Sequence, residues 1–327
     1  MKGKVQRAVE APQFIYPYVR NRWREIATMA QEDNFGEIVG YITEEAVGED
    51  LYFERLGKRT PDGIVSRSLP CGEMYLDITD PGLSRRLLRY GVHEKTSSRI
   101  YRRELRRLAN DIDGEITILE LGANIGYFLL MATGVLGERA RIYAIEPHPR
   151  NLDILKKNVE RNDLDGRTEI IEGAVGAEPG SGVLNVMPES NWHAVAADGG
   201  VRTGAIETLD IDIQCVETIL SERDLEPEAV NVVRFDVEGY EDNILAGMQS
   251  VLDADSPLLC YIELHPVLLD DDTLEWVIET LAESGLSVVS AVDYEPIDWD
   301  GKPVPLSEFS DIWNYRETGS LEVIARR

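Results

Sequence analysis

The chain has 327 residues, 43% of them hydrophobic, which is enough to bury the core of one large domain or two modest ones. No apolar run approaches the roughly 18 residues of a membrane span, and the start, Met1-Lys-Gly-Lys, lacks the apolar stretch of a signal peptide, so a cytoplasmic protein is expected. The formal net charge is −27 and falls unevenly: residues 1–110 hold 19 Lys+Arg against 16 Asp+Glu, residues 111–327 hold 14 against 44, and so acidic a surface argues against a nucleic-acid partner.

Only seven of the 33 basic residues are lysine, and the excess acid fits a protein kept soluble in concentrated salt, a halophilic signature of habitat rather than of function. Cys71, Cys215 and Cys260 are far apart and odd in number, with no C-x-x-C spacing, so they are expected as buried reduced thiols.

In chain order, Tyr18–Met29 and Pro81–Tyr90 look helical and Glu73–Ile78 looks like a strand. Thr96–Ala109 is a helix whose Arg99, Arg102, Arg103, Arg106 and Arg107 occupy several faces, as on a solvated surface pairing with the acidic part. Residues 1–110 are therefore expected to form a mostly helical N-terminal extension, with a possible role in substrate binding or oligomer formation. From residue 111 the pattern changes. Apolar runs at Ile116–Leu121, Ile142–Ile145, Thr168–Val175, Val230–Val237, Leu258–Leu264, Leu286–Val292 and Leu321–Ala325 alternate with helical periods. They predict a Rossmann-like α/β domain over 111–327, with a seven-stranded, mostly parallel, doubly wound sheet.

Four segments carry chemistry. Glu120-Leu-Gly122-Ala-Asn124-Ile-Gly126 follows the first strong strand and opens a helix, where glycines allow close backbone approach and free N–H groups point at a ligand. Asn124 and Tyr127 stand where a dinucleotide fingerprint needs its later glycines, so the turn suits a nucleoside-like ligand without a pyrophosphate. Glu146, ending the second strand before Pro147, is placed to accept ribose hydroxyls. Asp236 and Glu238, in Asp236-Val-Glu-Gly-Tyr-Glu241, are expected to alternate onto one strand face. Glu263 and His265, in Ile262-Glu-Leu-His265-Pro266, should alternate likewise onto the same crevice. His193 lies in a polar loop, either exposed or lining a substrate pocket.

In order, these blocks resemble the FkbM family of methyltransferases, over about residues 110–266. The resemblance implies methyl transfer from S-adenosylmethionine to oxygen, on a sugar, glycan or small-metabolite hydroxyl. It further implies that Glu120 and the turn Gly122, Asn124, Gly126 meet the methionine part, that Glu146 holds the ribose, and that Gly173 and Ala174 lie near adenine. Asp236 belongs to both the cofactor set and the catalytic set with Glu238 and His265. His265, with an ordinary pKa of ~6.5, is the expected general base. No metal is expected, the alternative being a divalent ion on Asp236, Glu263 and His265. Competing readings are a nicotinamide-dependent oxidoreductase, disfavoured by the missing glycines, and a non-catalytic binding protein on the same fold.

Overall fold

The computed structural model describes residues 51–197, 199–294 and 301–327. The helix expected at Tyr18–Met29 lies outside these residues. Among the described residues, contacts separate a smaller compact unit, residues 51–65 and 76–91, from a larger one that holds residues 66–75 and those from 92 on.

The first elements are helix α1 (Leu51–Arg59), strands β1 (Ile64–Leu69) and β2 (Gly72–Asp77), which pair as a two-stranded sheet, and helix α2 (Leu83–Tyr90). In the smaller unit, the guanidinium groups of Arg85 and Arg89 lie 4.6 and 4.9 Å from the centre of the Phe53 ring. Helix α2 stops at Gly91, whose φ of 66° makes a left-handed cap that few other residues accept.

The larger unit continues with α3 (Lys95–Asp111), β3 (Ile116–Leu121), α4 (Tyr127–Leu136), β4 (Ala140–Glu146), α5 (Pro149–Arg161) and β5 (Thr168–Glu172). Then come β6 (Ala174–Val175), β7 (Gly180–Val186), β8 (Ala194–Ala196), β9 (Glu207–Gln214), α6 (Val216–Ser221) and β10 (Val230–Phe235). Helices α7 (Glu241–Ala246) and α8 (Gln249–Asp253), strand β11 (Leu259–Leu264), helix α9 (Asp271–Glu283) and strands β12 (Ser287–Asp293), β13 (Lys302–Val304) and β14 (Leu321–Arg326) complete it.

The main sheet has the order β13-β12-β14-β11-β10-β3-β4-β5. Pairing is parallel from β11 through β10, β3 and β4 to β5, and antiparallel where β14 lies between β11 and β12 and where β13 joins the edge. Each of the seven expected strands contributes to it, so the sheet has eight strands rather than seven. The eighth, β13, is three residues long and contains Pro303, so it carries no apolar run to read.

The expected strand Thr168–Val175 is in fact two. At Gly173 (φ 132°) the chain leaves the main sheet, and Ala174–Val175 enters a second, four-stranded sheet of order β6-β9-β7-β8. A Cβ on Gly173 would stand 2.8 Å from the Asp212 carbonyl oxygen, so only glycine allows this crossing.

Alternation decides what each sheet face carries. Leu119, Leu121, Val233, Phe235, Cys260, Ile262 and Leu264 join one apolar core with Ile219 of α6, Leu245 of α7 and Val277 of α9. The intervening residues face α3 and α4, where Tyr101, Phe128 and Tyr261 stack edge to face and tilted at 5.2–6.2 Å. On α3, the buried Glu104 pairs with Arg103 and Arg107 of its own helix. The three cysteines are free and buried. No helix among the described residues is long and apolar enough to cross a membrane.

Candidate functional site

Strand register builds the site in rows across the sheet. Arg234 of β10 lies beside Glu120 of β3 on one side and Tyr261 of β11 on the other. Its guanidinium is 3.1 Å from Glu120 Oε1, 3.6 Å from Asp236 Oδ2 and 3.8 Å from the centre of the Phe128 ring. Glu120 is 1% exposed and its Oε2 has no hydrogen-bond partner. Burial lifts its carboxyl to about pKa 7 despite the arginine.

Just past Phe235 and Ile262, the last residues paired between β10 and β11, come Asp236 and Glu263, the latter paired across from Glu322. On the other side of Asp236 is Gly122, with φ 82° and with no room for a Cβ, which would lie 2.9 Å from the Asp236 carbonyl oxygen. The glycine turn is thus drawn against the acidic row.

The turn itself is held from below by Glu146. Gly122 N–H and Ala123 N–H donate to the Ile145 carbonyl. Glu146 Oε2 accepts from Asn124 N–H at 2.8 Å, while its Oε1 accepts from His148 N–H at 2.9 Å and Asn151 Nδ2 at 3.2 Å. Asn124, at φ 49°, donates through Nδ2 to the Ser190 carbonyl, so the residue in place of a fingerprint glycine ties the turn to the loop before β8. Asn158 of α5 reaches the same turn, donating to the Ile125 carbonyl at 2.7 Å. Glu146 is 4% exposed, and its burial raises the carboxyl to about pKa 7 against the three donors.

Gly173 continues from β5 beside Glu146, its N–H donating to the Glu146 carbonyl, with Ala174 buried next to it. His193 is not a free loop side chain. Its Nδ1 accepts from Met187 N–H, and its ring lies 4.6 Å from that of His148. Burial and the neighbouring His148 depress its pKa to about 3.

Beyond β10 the expected strand alternation does not occur. The strand ends at Phe235, and Glu238 adopts φ 54° in a turn with Gly239. Glu238 nevertheless reaches the same place, with Oε1 3.6 Å from His265 Nε2, and its outer oxygen is 3.6 Å from Arg202. His265 Nε2 is equally 3.6 Å from Glu263 Oε1. Asp236, Glu238, Glu263 and His265 therefore do share one crevice.

The residue that organises His265 was in the motif but unassigned: Glu241, fully buried at the start of α7, holds Nδ1 at 2.7 Å and also accepts from Gly239 N–H. Burial opposes protonation of the imidazole, but the Glu241 hydrogen bond and the charges of Glu241, Glu238 and Glu263 outweigh it and raise the pKa to about 10. Its neighbours therefore hold His265 well above the ordinary histidine value of ~6.5. Burial pushes both the Asp236 and Glu263 carboxyls up, helped by the charge of Glu263 at Asp236 and by that of Glu94 at Glu263.

A second acid group adjoins this one. The Tyr261 hydroxyl is 2.9 Å from Glu94 Oε2 and 2.5 Å from Glu322 Oε2, and its single proton can serve only one of them. Among the described residues, two groups have the spacing to hold a cation: Asp236, Glu263 and His265, and Glu94, Glu263 and Glu322.

A positively charged, nucleoside-bearing ligand fits these surroundings. Glu120 presents an unpaired buried oxygen, and the local acids outnumber Arg234 and His265.

Comparison with known proteins agrees with this chemistry. The Methyltransferase FkbM domain profile matches residues 120–301. Hexuronic acid methyltransferase AglP of Haloferax volcanii is 26% identical over 187 residues, covering 56% of this chain and 68% of that protein. Among solved structures, methyltransferase FkbM from Methylobacillus flagellatus KT is similar with a TM-score of 0.39 and 16% identity, over 64% of this chain and 43% of that one. A SAM-dependent methyltransferase from Aquifex aeolicus gives a TM-score of 0.38 and 14% identity, covering 76% of this chain and 94% of that one. The chain belongs to the methyltransferase FkbM domain family.

Proposed function

We propose that the protein transfers a methyl group from S-adenosylmethionine to a hydroxyl oxygen of a sugar, free or within a glycan. The observation that carries the reading is the apposition of the Gly122–Gly126 turn to the acidic row beginning at Asp236. A cofactor on the turn would place its reactive end beside Asp236, Glu238, Glu263 and His265. The likeness to a hexuronic acid methyltransferase supports a sugar acceptor.

S-adenosylmethionine supplies a methyl carbon already activated on a sulfonium, so the chain's residues have three tasks. Glu146, which holds the turn, is proposed to bind the nucleoside, and Asp236 and Glu120 favour the positive end electrostatically. The crevice residues align the acceptor for in-line attack. The acceptor oxygen forms the new bond to carbon, the carbon–sulfur electron pair stays on sulfur, and the hydroxyl proton leaves to a crevice carboxylate. Residues 1–110 are proposed to help select the acceptor.

Incubation with methyl-labelled S-adenosylmethionine and a methyl hexuronide tests this by mass spectrometry. Label on a sugar oxygen is expected. Recovery of all label in the cofactor, or in a carboxyl ester rather than an ether, would reject the hydroxyl assignment.

A further inference from the structure

We propose that Asp236, Glu263 and His265 form a binding site for a divalent cation. Their ligand atoms lie within 4.8 Å of one another, the spread made by three ligands around one ion at roughly 2.0–2.3 Å each. Asp236 and Glu263 directly follow Phe235 and Ile262, the last residues paired between β10 and β11, and His265 follows Glu263 by two residues.

Acidic spacing alone would not identify a ligand. His265 does so independently, because it is 3% exposed yet only Nδ1 has a hydrogen-bond partner, the buried Glu241. Nε2 faces Glu238 and Glu263 at 3.6 Å, beyond hydrogen-bonding distance from either. A carboxylate that fixes one imidazole nitrogen and directs the other into a set of acids is the arrangement that orients metal-bound histidines. In the same direction, Glu322 pairs across from Glu263, is 1% exposed, and leaves Oε1 with no partner. The crevice thus gathers three half-buried carboxylates, Asp236, Glu238 and Glu263, against one imidazole already committed to a fourth.

The proposed role of the ion rests on the methyl-transfer reading, whereas the site itself does not. An acceptor hydroxyl coordinated there loses its proton more readily. That proton passes to Glu238, the crevice carboxylate outside the ligand set, while the oxygen forms the bond to carbon and sulfur keeps the electron pair of the broken bond.

The test uses the full chain, stripped of metal with a chelator and titrated with manganese chloride, with free Mn²⁺ followed by electron paramagnetic resonance. One bound ion per chain is expected, with affinity reduced at least tenfold in Asp236→Asn and Glu263→Gln. Nitrogen modulation of the bound Mn²⁺ signal should reveal an imidazole ligand in the unsubstituted protein and be lost in His265→Gln, a readout that needs no acid variant to fold. Absence of binding at millimolar Mn²⁺, or binding without nitrogen modulation, overturns the proposal. S-adenosylmethionine titrated separately keeps the two readings distinct. Mn²⁺ binding without methyl transfer would reject the transfer reading and leave the site standing, whereas transfer undiminished in chelator with no Mn²⁺ bound would do the reverse.

Discussion

At the scale of single residues, the buried charges are the least replaceable part of the molecule. Arg234 joins Glu120 to Asp236 beneath the Phe128 ring, with side-chain exposures of 5% and 1% for Arg234 and Glu120. Taking both charges out of water costs energy that only a complete pairing recovers, so removal of one partner strands the other. Arg234→Met should therefore lower stability by about 3–5 kcal/mol in urea unfolding. The double variant with Glu120→Leu should recover most of that loss, because the unpaired buried carboxylate is gone. A single Arg234→Met variant as stable as the parent would show that the guanidinium is not what holds Glu120 in the core.

At the scale of elements, the segment between β7 and β8 is tied to the cofactor turn through Ser190 and Asn124, and it carries His193 packed on His148. His193 accepts the Met187 N–H only when neutral, and its pKa falls from the ordinary 6.5 to about 3. A base with a depressed folded pKa contributes stability that is present above its unfolded pKa and is lost as pH falls toward the folded one. Between pH ~6.5 and ~5, before most carboxylates titrate, unfolding of the His193→Gln variant should depend less steeply on pH than that of the parent. Equal slopes would place the acid sensitivity elsewhere.

The same scale shows what the sequence could reveal. Strands buried on both faces, such as Ile116–Leu121, read as unbroken apolar runs, and the four motif segments lie at their carboxyl ends, so the sheet and the crevice were both legible. The second sheet went unread although Leu209, Ile211 and Ile213 alternate with Asp210 and Asp212, a period-2 signal in an acidic stretch. The sheet switch at Gly173 depends on a carbonyl contact 39 residues away, which local pattern does not contain. Glu241 was visible in its motif, but its grip on His265 joins two separate elements and becomes apparent only in three dimensions.

At the scale of the whole molecule, the charge is the dominant feature. With 44 acids against 14 bases in residues 111–327, mutual repulsion opposes the folded state at low ionic strength. At 1 M salt the Debye length is ~3 Å and most surface repulsion is screened. On the salt-adapted reading, the melting temperature should rise as potassium chloride increases from low to molar concentration, and a flat or falling curve would count against it. On the proposed reading, fold and charge together set a cofactor site that favours a cation, with Glu146 as its anchor under the turn. The most direct test of that claim is calorimetric titration of S-adenosylmethionine into the protein and its Glu146→Ala variant. Charge-assisted hydrogen bonds contribute about 1.5–3 kcal/mol each, so one saturable site in the parent and an affinity at least tenfold weaker in the variant are expected. No binding to the parent, or equal affinity in both proteins, would contradict the account.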